Sequence, residues 1–410
     1  MPTNDDIRFE TFLNDVKAAR FDEHVGRSDV KVQSGDEFDA MKEHVLSLYD
    51  AVEVQHSFLD GNEQIFDCVP IEQQPSLKGR QEALADAPDP PFPEGRETDD
   101  RSRVVESQLG SDRTDRLGNV MACPPGTIPM RRVTLDELTR HEQLRDFFRK
   151  APGGAQGHPS LGPQEDARVH KYAHGKQTVD NVGGHSNVNV WQPNVGSQIF
   201  SLSQHWYAGG NPLQTVEIGW QVYPRKYDIT LPVLFIYWTA DGYEDTGCYN
   251  LDCEAFVQVN PSWPLGGSLT PVSTPGGEQW ILELGAYLDQ GNWWLYVGGW
   301  TAEAALGYYP GSLYGQGQLA TKATSVDYGG EVVDDSAWPP MGSGAFANAG
   351  WQHAAFQNQV FYLPPGAATG AWASLNRRQP SPDCFTIDLG SGGSWGDYFF
   401  YGGPGGAGCS

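Results

Sequence analysis

From residue 167 onward the chain is a succession of short runs of Val, Ile, Tyr, Phe, Trp and Thr separated by Gly, Pro, Asn and Asp. Examples are "VNVWQP", "TVEIGWQVYP", "LPVLFIYWTA", "EQWILELGAYL", "NWWLYVGGW" and "NQVFYLPP". β-Branched and aromatic residues bounded by turn formers read as strands. No helix-length periodic segment interrupts them, which argues for an antiparallel sandwich or barrel rather than βαβ units. No internal repeat of fixed period is present.

Residues 1–150 obey different rules. They carry 31 acidic and 19 basic side chains, so about a third are charged, against about a ninth of residues 151–410. All 13 Trp and 41 of the 49 Gly fall in the second part. Two units are therefore expected. The first has helical pieces: Ile7, Phe9, Phe12, Leu13 and Val16 follow helical spacing, residues 36–52 form an amphipathic run, and Thr134 and Glu137 stand at capping-box spacing. Residues 85–116, rich in Pro, Asp, Glu and Arg, read as a loop or disordered insert. The junction, "APGGAQGHPSLGPQED" at 151–166, is rich in Gly and Pro, and Arg149 and Lys150 precede it. Such a segment is open to nicking. A charged, partly helical front, a cleavable linker and a rigid β domain have the organisation of a proenzyme; an ordinary interdomain linker is the alternative.

The formal net charge of −25 argues against nucleic-acid partners and against docking on anionic membranes. The longest clearly apolar run, residues 231–238, is far short of the ~20 residues a spanning helix needs. The polar, acidic start "MPTNDDIRFE" does not read as a secretory signal. Six Cys, an even number with no C-x-x-C pattern, fit a disulfide framework and hence an oxidising compartment. Those two readings pull in opposite directions.

Familiar catalytic motifs are missing: there is no P-loop, H-E-x-x-H or EF-hand loop. One G-x-S-x-G, residues 392–396, is followed by the strand-like "YFFYGG" and lacks the helix a nucleophile elbow needs. His170 and His174 adjoin the linker with no helix to make them a metal pair, and His185 and His205 read as ordinary surface or core polar residues. No metal and no cofactor is expected.

Carboxylates remain. Alternation in "TVEIGWQVYP" places Val216, Ile218, Trp220 and Val222 on one face and Thr215, Glu217, Gly219 and Gln221 on the other. In "TSVDYGGEVVDD", Glu331 alternates in the same way with Val326, Tyr328 and Val332. Each glutamate sits near a glycine, Gly219 or Gly329, that is expected to leave room beside it. A solvated sheet face is the bland reading of either strand alone. Facing one groove, the two would make a pair. Two carboxylates ~4 Å apart at an effective dielectric of ~20 repel by about 4 kcal/mol, roughly three pKa units. The pair then holds one proton over an acidic range, so one member can take a proton from water while the other polarises a carbonyl or protonates a leaving group. Peptide hydrolysis and glycoside hydrolysis both use such pairs.

These residues resemble the neprosin family of glutamic peptidases. The resemblance runs in order through "VNVWQP", "FSLSQHW", "TVEIGWQV", "LFIYWTADGYEDTGCYNLDCEAFVQVN", "LTPVSTPGG", "NWWLYVG", "LGYYP", "VDYGGEVV", "PPMGSG" and "WGDYFFYGGPGG". "FDCVPIEQQPSL" and "CPPGTIPMRR" resemble the family's propeptide. The family's E-x-G-W-Q-V and W-G-G-E-V motifs place its catalytic glutamates on Glu217 and Glu331. Two departures stand out: Tyr328 replaces the Trp of the second motif, and Ala345 stands where the family's "MGSGHF" has His.

The resemblance implies a mostly β protein: an antiparallel β-sandwich peptidase domain (167–410) preceded by a smaller, partly helical propeptide (1–150) and the cleavable linker (151–166). It implies secretion as a zymogen, activity at acid pH, and cleavage after proline in peptide or protein substrates, with the propeptide as intramolecular inhibitor and a monomer as the working form. Disulfides Cys68–Cys123, Cys248–Cys253 and Cys384–Cys409 follow from it. Gln204 and Gln221 are candidate polar supports, and Pro152, Pro159 and Pro163 candidate sites for a post-proline cut. Residues 1–150 are net −12 and 151–410 net −13, so net attraction cannot hold a propeptide in place and local contacts must. Alternatives from other classes are a lectin-like, carbohydrate-binding sandwich using the Trp and Tyr rings, and a carboxylate-pair glycosidase.

Overall fold

The computed structural model describes residues 1–79, 83–99, 101–150 and 170–409. Two large sheets dominate it. One, seven-stranded among the described residues, runs Cys248–Tyr249, Val233–Thr239, Gln214–Val222, Phe200–Gly209, Ala323–Val333, His170–Asn181, Asn376–Arg378, antiparallel throughout. The other has ten strands and is built around Ala305–Pro310, Asn292–Val297, Trp280–Asp289, Gly183–Asn189, Ala355–Tyr362, Asp397–Gly402 and Thr386–Ser391. Arg103–Val104, an N-terminal dipeptide, is laid parallel along the Trp280–Asp289 strand.

Alternation decides what fills the space between the sheets. Val216, Ile218 and Trp220 from one sheet share a fully buried core with Leu282, Leu284, Trp293 and Leu295 from the other. Each large side chain so buried contributes about 1.5–3 kcal/mol. The residues between them in sequence point outward, so the sandwich has two outer faces. Both are clothed by the N-terminal region.

That region holds helices Phe9–Ala18 and Gly35–Leu48 and a three-stranded antiparallel sheet of His56–Leu59, Ile65–Pro70 and Thr127–Arg131. The capping box at Thr134 and Glu137 is present and opens a helix of one turn, Leu135–Leu138. Phe38, Met41 and Val45 join the main apolar cluster, so the region packs as part of the same body. Charge is handled locally: Arg132 is buried against Asp67, and Arg131 against Glu137. The disulfides are Cys68–Cys123, Cys248–Cys253 and Cys384–Cys409.

Of the two expectations for residues 85–116, a loop or a disordered insert, those described form the loop. Those from 85 to 105 lie against the ten-stranded sheet, where Arg96 pairs with Glu283 and Asp99 accepts from Asn358 and Trp395, and those from 109 to 116 turn back onto the N-terminal region, where Asp115 accepts from the Leu59 amide and Arg116 pairs with Glu63. The G-x-S-x-G sequence is a tight turn, Gly393–Trp395, between two strands and not a nucleophile elbow. Pro152, Pro159 and Pro163, with the whole of the 151–166 linker, lie outside the described residues. Among the described residues no helix is long and apolar enough to cross a membrane.

Candidate active site

Glu217 and Glu331 sit on strands separated by one other, Phe200–Gly209, which opposes Trp206 to Glu217 and Leu202 to Glu331. Val216, Ile218 and Trp220, like Val326, Tyr328 and Val332, turn into the core. Period-two alternation therefore turns both glutamates to the outer face of the seven-stranded sheet. That face is not solvated: both glutamates are 0 % exposed.

What covers them is Lys150, the last described residue of the N-terminal region. Its Nζ donates to Glu217 Oε2 at 2.6 Å and to Glu331 Oε2 at 2.9 Å. The two carboxylate oxygens are thus no further apart than those two contacts allow. The ammonium also lies 5.3 Å from the centre of the Trp206 ring. The backbone leading to it is held as well. Helix Leu144–Phe148 delivers the chain, Tyr237 Oη donates to the Phe148 carbonyl at 3.1 Å, and Tyr249 Oη to the Lys150 carbonyl at 2.9 Å.

The remaining oxygens have their own partners. Glu217 Oε1 accepts from Tyr243 Oη at 2.6 Å and Thr215 Oγ1 at 3.0 Å. Glu331 Oε1 meets His170 Nδ1 at 2.5 Å, and Gln204 Nε2 lies 3.4 Å from Glu331 Oε2. Burial opposes the charge on Lys150, but the two carboxylates outweigh it and hold its pKa above the ordinary lysine value. Burial likewise pushes Glu331 up. The Lys150 charge and the His170 contact overcome that and leave Glu331 below the usual carboxylate range. Burial, then the Glu217 charge, lifts Tyr243 well above the ordinary phenol value, so it stays a donor.

The glycines do something other than leave room. Gly219 and Gly329 oppose Gln204 from its two sides. A Cβ at Gly219 would meet the Ser203 carbonyl oxygen at 2.2 Å, and one at Gly329, where φ is +152°, the Ala173 oxygen at 2.5 Å. Both admit neighbouring backbone, which corrects the expectation of open space. Of the two glutamines, Gln204 reaches Glu331, whereas Gln221 donates to Tyr227 Oη at 3.0 Å.

Sequence reasoning missed Lys150, His170, Tyr243 and Thr215. His170 and His174 were set aside because no helix presents them, but a strand does so with equal effect. Both lie on one face of His170–Asn181, and His174 Nδ1 stands 2.9 Å from Asp327. Tyr243, in a loop at φ +68°, gave no periodic signal.

Fold and site together define a two-sheet, antiparallel β protein with a buried carboxylate pair on one outer face. A protein-family model, Neprosin, matches residues 197–404, and the chain belongs to that family. It is accordingly a peptidase of the glutamic class. Among solved structures it is similar to scytalido-glutamic peptidase with a transition state analog inhibitor and to the same peptidase with a peptide based transition state analog. Each is 8 % identical, with 58 % of this chain and 99 % of that chain covered at a TM-score of 0.33.

Proposed function

We propose that the chain is the latent form of an acid-acting, post-proline endopeptidase in which Glu217 and Glu331 activate water, and that residues 1–150 are its inhibitory propeptide. The observation that carries this reading is the Lys150 ammonium shared by the two buried glutamates. A cation in that position satisfies the pair but leaves no place for a water between them.

With Lys150 withdrawn, a water takes the position of its Nζ. His170 continues to favour the charged form of Glu331, which makes Glu331 the base. Glu217, oriented by Tyr243 and Thr215, takes the part of the acid. Water gives a proton to Glu331 as its oxygen attacks the scissile carbonyl carbon. Glu217 donates to the developing oxyanion, with the Gln204 amide beside it; as the C–N bond breaks, Glu331 passes the water's proton to the leaving nitrogen and a hydroxyl of the diol returns a proton to Glu217. Tyr237 and Tyr249, which hold the Phe148 and Lys150 carbonyls, are placed to hold substrate carbonyls in the same way. The rings of Tyr172, Trp206, Tyr237 and Tyr243 on this face suit a pyrrolidine ring, which is compact and apolar.

Acid favours opening. A pair freed of its cation binds a proton more readily than one closed on Lys150, so lowering the pH favours the open state by linkage. Pro152, two residues after Lys150, is the first linker proline available to a post-proline cut. The three disulfides accord with a secreted protein.

The test is acid incubation of the full chain followed by N-terminal sequencing and digestion of a proline-containing peptide, with Glu217→Gln and Glu331→Gln chains alongside. Cleavage after linker proline and after substrate proline, lost in both variants, is expected. Variants that cut like the wild type would overturn the pair, and cuts without regard to proline would overturn the specificity.

A further inference from the structure

The other outer face is covered by a segment of different chemistry. On the Asn292–Val297 strand, Trp294 and Tyr296 alternate with the core-facing Trp293 and Leu295, so their rings point away from the core. With Trp300, Tyr308 and Phe361 they form a separate buried cluster, and Trp372 packs against it. Across these rings runs "ADAPDPPFPE", residues 85–94.

Ring donors hold three carbonyls of this segment at a spacing of three, and the Gly370 amide adds a bond to the Phe92 carbonyl at 3.0 Å. The carbonyls of Pro88, Pro91 and Glu94 accept from Tyr296 Oη at 2.8 Å, Trp300 Nε1 at 3.2 Å and Trp372 Nε1 at 3.4 Å. Pro90 and Pro93 are buried and Ala87 half-buried, again three apart, whereas Asp86 and Asp89 are exposed. Three residues per turn, with carbonyls free of partners in the same segment, is the habit of a polyproline II helix. Aromatic grooves recognise such helices because the ligand is already extended and loses little freedom on binding. The donors from the rings read carbonyls, Pro90 and Pro93 are buried beside them, and the Phe92 ring anchors the segment on Phe361 at 6.3 Å. The one side-chain hydrogen bond from residues 85–94 to the sandwich is Asp89 Oδ1 accepting from the Ala302 amide at 2.7 Å.

We propose that this groove is a second binding site, separate from the glutamates, for extended proline-rich peptide. Residues 85–94 occupy it in the closed chain, and proline-rich stretches of substrate occupy it once the N-terminal region has left. The second half of this proposal rests on the propeptide reading above. A substrate tethered on one face presents its other stretches to the glutamates at raised effective concentration. The groove therefore lowers KM for long proline-rich chains and leaves kcat unchanged.

The binding half is tested without any cleavage. In the full chain, residues 85–94 are replaced by Gly and Ser at equal length, which vacates the groove while Lys150 keeps the glutamates closed. The probe is the synthetic peptide ADAPDPPFPE, followed by calorimetry and tryptophan fluorescence. Saturable one-to-one binding to the replaced chain, and none to the wild type, is expected. Trp300→Phe with Trp372→Phe keeps an aromatic ring at each position, removes both N–H donors and weakens binding at least tenfold, the effect of two hydrogen bonds with the lost indole area added. A peptide with Ala for every Pro binds at least tenfold more weakly. Absence of saturation, or equal binding by the doubly substituted chain or the alanine peptide, overturns the proposal.

If the replaced chain shows no cooperative melt, the linker-cut wild type and its Trp300→Phe/Trp372→Phe form decide instead. The double variant is expected to raise KM about tenfold on a proline-rich protein and to leave a short peptide's constants unaltered; equal KM overturns the proposal. A cut chain that keeps residues 1–150 bound through gel filtration at acid pH counts against the propeptide reading. The binding result in the replaced chain stands apart from it.

Discussion

On one outer face of the sandwich, Tyr237 and Tyr249 donate to the carbonyls of Phe148 and Lys150; on the other, Tyr296, Trp300 and Trp372 donate to those of Pro88, Pro91 and Glu94. Both faces hold a stretch of the same N-terminal region by its backbone, through aromatic O–H and N–H groups. They differ in charge. The first encloses two carboxylates and is closed by an ammonium, whereas the carbonyl contacts of the second join neutral groups. Closure by an ion pair responds to pH and to single substitutions. Closure by many neutral contacts is graded and tolerant. A chain that must release the first face on a signal can thus keep the second as a surface for whatever proline-rich segment is at hand.

The largest effect expected on this contrast comes from the glutamates themselves. Glu217→Gln or Glu331→Gln should lower peptide hydrolysis by about 10²–10⁴-fold, the usual worth of general acid–base catalysis, in an initial-rate assay of the linker-cut chain. Next is Lys150→Met. Removing one partner from a buried ionic cluster costs about 3–5 kcal/mol. The uncut variant should therefore open and hydrolyse peptide where the uncut wild type does not. A variant as silent as the wild type would mean that the neutral contacts alone close the face.

Acidification should separate the two faces. Glu331's pKa is lowered in the closed chain, so the stability its pairing contributes is present above the ordinary glutamate value of about 4.3 and is lost as pH falls through the lowered value. Hydrogen exchange followed from neutral pH into that range should show residues 144–150 loosening before residues 85–94; the reverse order would break the contrast. His170→Gln should cost about tenfold in kcat and shift the acidic limb of the pH profile upward, since Glu331 loses a partner of its charged form. A fall in rate with an unshifted limb would leave His170 a merely structural role. The smallest effect belongs to Tyr296→Phe, which removes one hydroxyl from the neutral face and should lower the stability of the full chain by about 1 kcal/mol in a denaturant melt.

How much of this could be read in the sequence depended on distance along the chain. The outward placement of Glu217 and Glu331 follows from alternation within ten residues, and it was legible. The plug was not, because Lys150 lies 67 and 181 residues from the glutamates it joins. Its basic neighbourhood before the linker was visible, but its partners were not. That the loop at residues 85–116 is ordered was hidden for the same reason. It has little apolar surface of its own, and the rings that order it belong to the far half of the chain, Tyr296 standing 208 residues from Pro88. At Gly219 and Gly329 a local reading detects a missing side chain and not the neighbouring strand that fills its place.

The connectivity of the cystines sets how latency would end. Cys68–Cys123 lies wholly within residues 1–150, and the other two bridges lie wholly beyond the linker. All six cysteines are used, so no covalent tie crosses residues 151–166 apart from the backbone. A single cut there turns an intramolecular cover into a separate molecule, whose hold obeys mass action. Before the cut, silence is independent of how much protein is present. If residues 1–150 are the propeptide proposed above, a concentrated store would stay quiet after the cut and a diluted one become active, so release into a larger volume would act as part of the switch.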